Sequence, residues 1–518
     1  MNNDNVTRSY RTYNKKNFFI ELKMFNPDGD VLILNPAGIF HLVIEDDMHF
    51  WPIRGFFIYD NVYEIIERKL AADTAIEVGN LDATSRADLK AKKPYMFRND
   101  GRDFLNITIK PESEVHLPDE QWEMSYNCVI YDKEDIECIN IGKKQKKFYF
   151  WDVDYQTMLE KKIQWSSATS EYNDSVRRLG GSYKPSQASD EARKMYTGDI
   201  IKAILNENNF KVTTDVKKFD KGSTKLFYTC FNNKNVWENI QYILNNNLSE
   251  KIKSVEALDE YDVCIFNKDR YSKTFELIPL YKLFAKAGNT ENEPGELQLE
   301  HTYFEEIGDV AISSLKAPTL PIMSTTKDIK LGAIKTYQYV DMSSVDNTTT
   351  LVTTPVHSYD FKNKTFSINV KDSNIEEIFN KMKKLYIDSK VLVSKGGEPL
   401  LTLNNNKLQN LNINPIYSIR SDKAAILRSG VGNLLYSSLF LNGCLYFQME
   451  GATVRQSGTF IGIDRKTFTD NNFDYKLCGQ WFVTCVKHVF TSDSYTNEIT
   501  AVKNYSFTKL KLKTTEVK

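Results

Sequence analysis

The 518-residue sequence is short of histidine, short of paired cysteine and short of net charge. Six histidines leave little material for an imidazole-based catalytic or metal centre. The seven cysteines (Cys128, Cys138, Cys230, Cys264, Cys444, Cys478, Cys485) are scattered, odd in number and never spaced as CxxC. That pattern predicts reduced, buried thiols in a chain assembled in a cytosol, not a disulfide framework or a closed zinc site. Sixty-seven basic and 68 acidic residues give a formal charge of -1, which removes the long-range attraction a dedicated nucleic-acid or anionic-membrane binder uses. No apolar run approaches the roughly 18 residues of a membrane-spanning helix. The opening Met1-Asn2-Asn3-Asp4 is not a basic region followed by an apolar stretch, so no secretory signal is expected. No GxxxxGK[ST] loop occurs either, because Gly142-Lys143-Lys144 and Lys395-Gly396-Gly397 lack the spacing that wraps backbone amides around phosphates.

Aromatic residues are abundant, with 28 Tyr and 30 Phe, and this composition favours packed sheets. The length calls for three or four domains of about 100 to 200 residues each. Short strands are read at Phe18 to Phe25, Val31 to Leu34, Gly38 to Glu45, Gly55 to Asp60, Phe104 to Ile109, Tyr126 to Tyr131 and Phe148 to Val153. Together they predict a first barrel or sandwich over residues 1–155.

Gln164 to Arg193 is polar and reads as a loop. Thr197 is placed as the N-cap of a helix with Ile200, Ile201, Ile204 and Leu205 on one face. A second helix is expected over Asn235 to Leu244, its Trp237 stripe serving core packing. A hairpin joins Val263 to Phe266 and Thr274 to Ile278 through the turn at Asn267 to Arg270. These make a middle α+β unit over 156–286.

Residues 287–420 are less regular and read as an α+β region or an insertion. Ala287 to Pro294 and Ser343 to Thr354 read as connections. Ser373 with Glu376 forms a capping box ahead of a helix through Ile375, Ile378, Phe379, Met382 and Leu385, and a strand follows at Lys390 to Val393. The last unit, 421–518, combines a helix at Lys423 to Phe440 with strands at Cys444 to Glu450, Gly458 to Ile463, Gly479 to Phe490 and Glu498 to Phe507. Trp481 and Val483, two apart, would point into its core, and Gly479 would admit a close backbone approach. The fold class expected is mainly β, with two barrels and α+β insertions.

Four groups of residues carry side chains suited to chemistry. Glu45, Asp46 and Asp47 with His41 and His49 could bind a divalent cation, but strand alternation would send neighbours to opposite faces, so an exposed acidic loop is the expectation. His301 with Glu305 and Glu306 lacks a second histidine for a zinc set. Cys478, Cys485 and His488 lack short paired spacing. Lys143, Lys144, Lys146 and Lys147 read as a solvated turn. No catalytic, cofactor-binding or metal residue is assigned, no cofactor is expected, and the chain is read as no enzyme.

The run Gly479-Gln480-Trp481-Phe482-Val483, then Val486 to Phe490, Tyr495 and Glu498 to Tyr505, resembles the last barrel of baseplate hub proteins of contractile-tailed bacteriophages. Gly451-Ala452-Thr453 with Gly458 to Ile463 is similar to the strand pair before it. The helices near Asp199 to Leu205 and Asn235 to Leu244, with the following hairpin, match the order of the family's central region. Ile44-Glu45-Asp46, Pro52, Gly55 to Asp60 and Asp100 to Ile109 look like its first tube-like barrel. The family also resembles the front half of type VI secretion spike proteins.

The resemblance implies two tube-like barrels per chain and a homotrimer that joins a sixfold tail tube to a threefold central spike. It implies as partners the tail tube or tube-initiator protein, the spike and baseplate wedge proteins, with genomic DNA passing through the channel without specific binding. It places the chain in the virion's tail baseplate, assembled in the host cytoplasm. The competing expectations are a hub-fused cell-wall hydrolase and a peripheral baseplate or receptor-binding protein.

Overall fold

The computed structural model describes residues 10–13, 16–26, 31–60, 103–111, 123–138, 143–163, 165, 195–221, 225–226, 228, 230, 233–244, 264–279, 300–304, 333–341, 356–360, 365–369, 397–399, 416–418, 443–464, 479–503 and 505–507. Strands dominate, so the chain is mainly β. The capped helix at Ser373, the strand at Lys390 to Val393, the helix at Lys423 to Phe440, the loops at Ala287 to Pro294 and Ser343 to Thr354, and nearly all of Gln164 to Arg193 lie outside the described residues.

The first unit is a curled antiparallel sheet made of β1 (Tyr10–Tyr13), β2 (Lys16–Phe25), β3 (Val31–Leu34), β4 (Ile39–Asp47), β5 (Phe50–Asp60), β6 (Asp103–Pro111), β7 (Met124–Cys138) and β8 (Lys143–Asp152). Their order is β1-β2-β6-β7-β8-β5-β4, with β3 also on β2. Period-two alternation drives the curl: Ile20, Leu22 and Met24, then Leu105, Ile107 and Ile109, and Phe148 with Phe150 all enter one core. The wall is completed by a side chain, as the Arg11 guanidinium on β1 donates to the carbonyls of Pro36 and Ile39 at the start of β4 and to Ser492 O at 2.7 Å.

β8 runs directly into α1 (Val153–Glu160), so Val153, expected as the last residue of a strand, is the first residue of a helix. Asp152 is the N-cap, its Oδ1 accepting from Asp154 N at 2.8 Å. The middle unit follows with β9 (Met195–Tyr196), α2 (Thr197–Glu207), β10 (Lys225–Leu226), α3 (Val236–Leu244), β11 (Cys264–Lys268) and β12 (Phe275–Pro279). Thr197 is not the cap of α2. Tyr196 occupies that position and makes no side-chain capping bond, and Thr197 is buried as the first helical residue. A tertiary contact fixes this start: Gly198 N donates to Lys221 O at 2.9 Å, and a Cβ on Gly198 would lie 2.0 Å from Asp220 O. The Trp237 stripe packs in the core as expected, and Trp51 from β5 enters the same core 4.9 Å from the Phe275 ring.

The last unit contains β13 (Glu300–Phe304), β14 (Ala333–Asp341), β15 (Val356–Asp360), β16 (Thr365–Asn369), β17 (Gly397–Pro399), β18 (Ile416–Ser418), β19 (Gly443–Glu450), β20 (Phe460–Asp464), β21 (Gly479–Phe490), β22 (Tyr495–Lys503) and β23 (Tyr505–Phe507). The cycle β21-β20-β13-β14-β19-β22 closes on itself through the β21–β22 pairing, making a six-stranded barrel whose β13 and β14 come from residues 287–420, outside the 421–518 span expected for this unit. Two of its joints, β13–β14 and β13–β20, are parallel. Trp481 and Val483 point into this barrel with Leu445, Phe447 and Met449. β15, β16 and β18 form a separate small sheet, and β17 pairs β23.

Candidate functional site

The two barrels meet where β4 pairs antiparallel with β21, Phe490 opposite Leu42 and Cys485 opposite Asp47. This ladder makes one continuous 14-stranded sheet out of both units. Its backbone bonds are supplemented by side chains. Asp46, half-buried, accepts from Ser457 Oγ at 2.7 Å and from Ser457 N at 3.1 Å. Burial pushes the Asp46 carboxyl above the usual range, and the Ser457 donors work against that shift.

Phe490 and Tyr495, at the β21–β22 turn, belong to the core of the first barrel and stack with ring centroids 3.9 Å apart. Tyr495 approaches Phe18 edge-on at 5.3 Å. The second barrel's hairpin thus seals the core of the first.

The turn between β11 and β12 is driven into the same seam. Asp269 Oδ2 accepts from the amides of Tyr271 and Ser272, and Lys273 takes a left-handed φ of 56°. Arg270 donates to Arg455 O at 3.3 Å and lies over the Tyr126 ring. Lys273 donates to Ser125 O. Its amine is pushed down to about 8 by burial and by the neighbouring Lys268 and Arg270 charges. Lys268 bridges Asp152 at 2.8 Å and Asp154 at 2.7 Å, which ties the hairpin to the start of α1.

A cavity of about 160 Å³ lies where these parts meet, bounded by Asp46, Trp51, Tyr126, Lys273, Glu276 and Ser457 among others. Several of its charges are already matched, Lys218 by Glu276 at 2.9 Å and Lys268 by Asp152. It has the character of a joint between three units.

The acidic group is not an exposed loop. Glu45, Asp46 and Asp47 sit on β4, and alternation sends Asp46 to the seam and Glu45 with Asp47 to the outer face. Glu45, Asp47 and Cys485 can bring ligand atoms within 4.8 Å of one another. They do not fit a metal well. Arg54 already lies 2.8 Å from Glu45 and 3.6 Å from Asp47, and burial with these carboxylates pushes the Cys485 thiol far up, keeping it protonated. His41 and His49 do not join them as ligands, and both have pKa values lowered first by burial.

His488 is separate from Cys485, three residues on and facing the seam. Its Nδ1 lies 2.8 Å from Tyr495 Oη and 2.9 Å from Asn497 Nδ2. Asn497 Oδ1 accepts from Ala452 N and Arg455, so its amide nitrogen faces the imidazole as donor and Nδ1 is the acceptor. Burial, then Arg270 and Arg455, hold His488 well below its ordinary pKa of 6.5. His301 lies on β13, whereas Glu305, Glu306 and Cys478 lie outside the described residues. The basic run is no turn: Lys143 to Lys147 form the first half of β8, with Lys146 3.3 Å from Asp135 and Lys147 3.9 Å from Glu134 across the ladder.

Sequence reasoning missed one surface. On the outer wall of the first barrel, Tyr131 stacks on Trp151 at 3.9 Å, Trp151 meets Tyr155 at 5.3 Å, and Tyr155 meets Phe50 at 5.2 Å. Tyr149 and Phe56 extend the strip at 6.1 Å, with Lys147 over both rings. The signal was present in the sequence as Phe148-Tyr149-Phe150-Trp151, whose alternate members face out.

No family model matches the chain, and no curated protein matches it. Solved structures do. A tail protein from Neisseria meningitidis is 8% identical, with 94% of this chain and 97% of that one covered at a TM-score of 0.45. The 43 kDa tail protein of prophage MuSo2 from Shewanella oneidensis is 7% identical, covering 94% and 98% at 0.43. The Francisella PdpA-VgrG complex is 10% identical over 96% of this chain and 53% of that one, at 0.42. Phage tail proteins and VgrG-type proteins are thus what this chain is similar to.

Proposed function

We propose that the chain is a structural subunit of a contractile-tail baseplate hub, in which three copies close a ring. The observation that carries this reading is the joining of two barrel units of one chain, edge to edge, through β4 and β21. Three such chains would present six barrels around an axis, matching a sixfold tail tube on one side and a threefold central spike on the other. The seam supports it as well, since a side-chain-locked joint suits a part that must hold a fixed angle between its barrels.

In this reading residues 1–155 carry one tube-like barrel, 156–286 the middle unit, and 421–518 together with β13 and β14 the other barrel, while the rest of 287–420 faces baseplate wedge proteins. The tube or tube-initiator protein and the spike are the axial partners, and the location is the virion's tail baseplate after assembly in the host cytoplasm. The chain performs no catalysis. Its near-zero charge suits a channel wall of acidic and neutral side chains that lets genomic DNA pass without holding it. Electron microscopy of the purified chain tests this directly. A closed ring with threefold symmetry and an axial opening is expected, and particles without one would contradict it.

A further inference from the structure

The wall that crosses the seam is one run of strands, β8-β5-β4-β21-β22-β19, each paired to the next. Its first three strands belong to the first barrel and its last three to the second. The middle of the run carries charges matched in register, with Arg54 opposite Glu45, Glu45 opposite Lys487 and Lys487 opposite Glu498. The two ends carry exposed aromatic side chains instead. At the β8 end lies the aromatic strip, where Tyr131 on the adjacent β7 is 40% exposed. The same face runs on without a break to Phe104, since Trp151 stands opposite Val129 and Val129 opposite Phe104. At the β19 end, Tyr446 lies between Leu445 and Phe447, which enter the core of the second barrel, so alternation turns it outward. It is 47% exposed, with the exposed Gln338 opposite it on β14.

We propose that the Tyr131–Trp151 end of this wall docks on the Tyr446 end of a second copy of this chain, first barrel against second barrel. The inference rests on the ring reading above and names the two surfaces that close such a ring. Seen from the centre of one barrel in a ring of six, the two neighbours stand about a third of a turn apart. In the six-stranded second barrel that is two strands, and two strands from β21 by way of β22 is β19. In the first barrel, whose wall runs through seven strands from β1 to β4, it falls between β8 and β7, two and three strands from β4 by way of β5. Both counts follow the one continuous wall, so the joint within a chain and the contact between copies bend the same way.

Unlike faces at opposite ends of one subunit are what a head-to-tail contact requires, whereas a twofold dimer needs one face that complements itself. Exposed aromatic patches are also characteristic of protein–protein interface centres. A phosphate backbone fits the strip less well, because Arg54 and Lys147 already face Glu45 and Glu134 and offer it little net field.

The test uses the full chain and two variants, Tyr131→Glu at one end and Tyr446→Glu at the other, each checked for a wild-type thermal transition. Light scattering after size exclusion reads the assembly. Wild type should give a species of three chains and each variant alone a monomer. An equimolar mixture should stop at two chains, because one intact strip then meets one intact Tyr446 face and both remaining ends are blocked. The milder Tyr131→Ser and Tyr446→Ser replace any variant that loses its transition. A variant that assembles like wild type, or a mixture that stays monomeric or goes on to three chains, overturns these surfaces and leaves the ring reading standing. A monomeric wild type overturns both.

Discussion

Asp46 and Ser457 are 411 positions apart in sequence and share two hydrogen bonds across the seam between the barrels. The carboxylate is half-buried, and burial raises its pKa while those donors work against the shift, so its ionised form leans on them. Ser457→Ala removes the hydroxyl and leaves the backbone donor. It should destabilise the chain by about 1–3 kcal/mol at pH 7, read from urea unfolding. Asp46→Asn in the same background should recover part of that loss, because a neutral amide has no charge to desolvate. No recovery would mean that the charge itself is not what the hydroxyl supports.

His488 predicts acid sensitivity. Its folded pKa is held well below 6.5, so below that pH the unfolded chain takes up a proton that the folded chain refuses. The sign is therefore loss of stability as pH falls, approaching about 1.4 kcal/mol per pH unit for this one group. His41 and His49, also lowered, act in the same direction. Unfolding free energies at pH 7.5 and 5.5 should differ more in wild type than in His488→Gln. Equal differences would show that His488 does not titrate as the seam geometry requires.

Gly55 faces the wall where β4 and β5 pair. A Cβ there would stand 1.9 Å from Val43 O and 2.9 Å from the Phe150 ring. A backbone oxygen inside a ladder cannot step aside cheaply, so Gly55→Ala should cost about 1–3 kcal/mol or more, seen as a lowered melting temperature. An unchanged melting temperature would mean that β5 can shift in register. Gly458, with nothing within 4 Å but a φ of +76°, gives a contrasting case in which the cost is conformational.

Much of this architecture is legible in local sequence. Alternation alone puts Trp481 and Val483 inside the barrel, and the spacing of Val236, Trp237, Ile240 and Ile243 gives α3 its buried face. The hairpin around Asp269 was readable because turn residues separate two short apolar runs. What is not legible is pairing at a distance. Nothing near Leu42 indicates that Phe490 will lie beside it, nor that β13 will close the second barrel through parallel joints.

Local signals were also misread where tertiary context decided the outcome. The Lys143 to Lys147 run looks like a turn until Glu134 and Asp135 are placed opposite it. Asp152 caps α1 and pairs with Lys268, a role visible only when the hairpin is folded against it. The aromatic strip needed three strands and a helix brought side by side before its alternate residues became one surface.

The central claim is that this chain builds a ring from two-barrel subunits, and the mass of the full chain in solution tests it most directly. Native mass spectrometry should give three times the 59.9 kDa of one chain. A single species at the mass of one chain across the concentration range would contradict it.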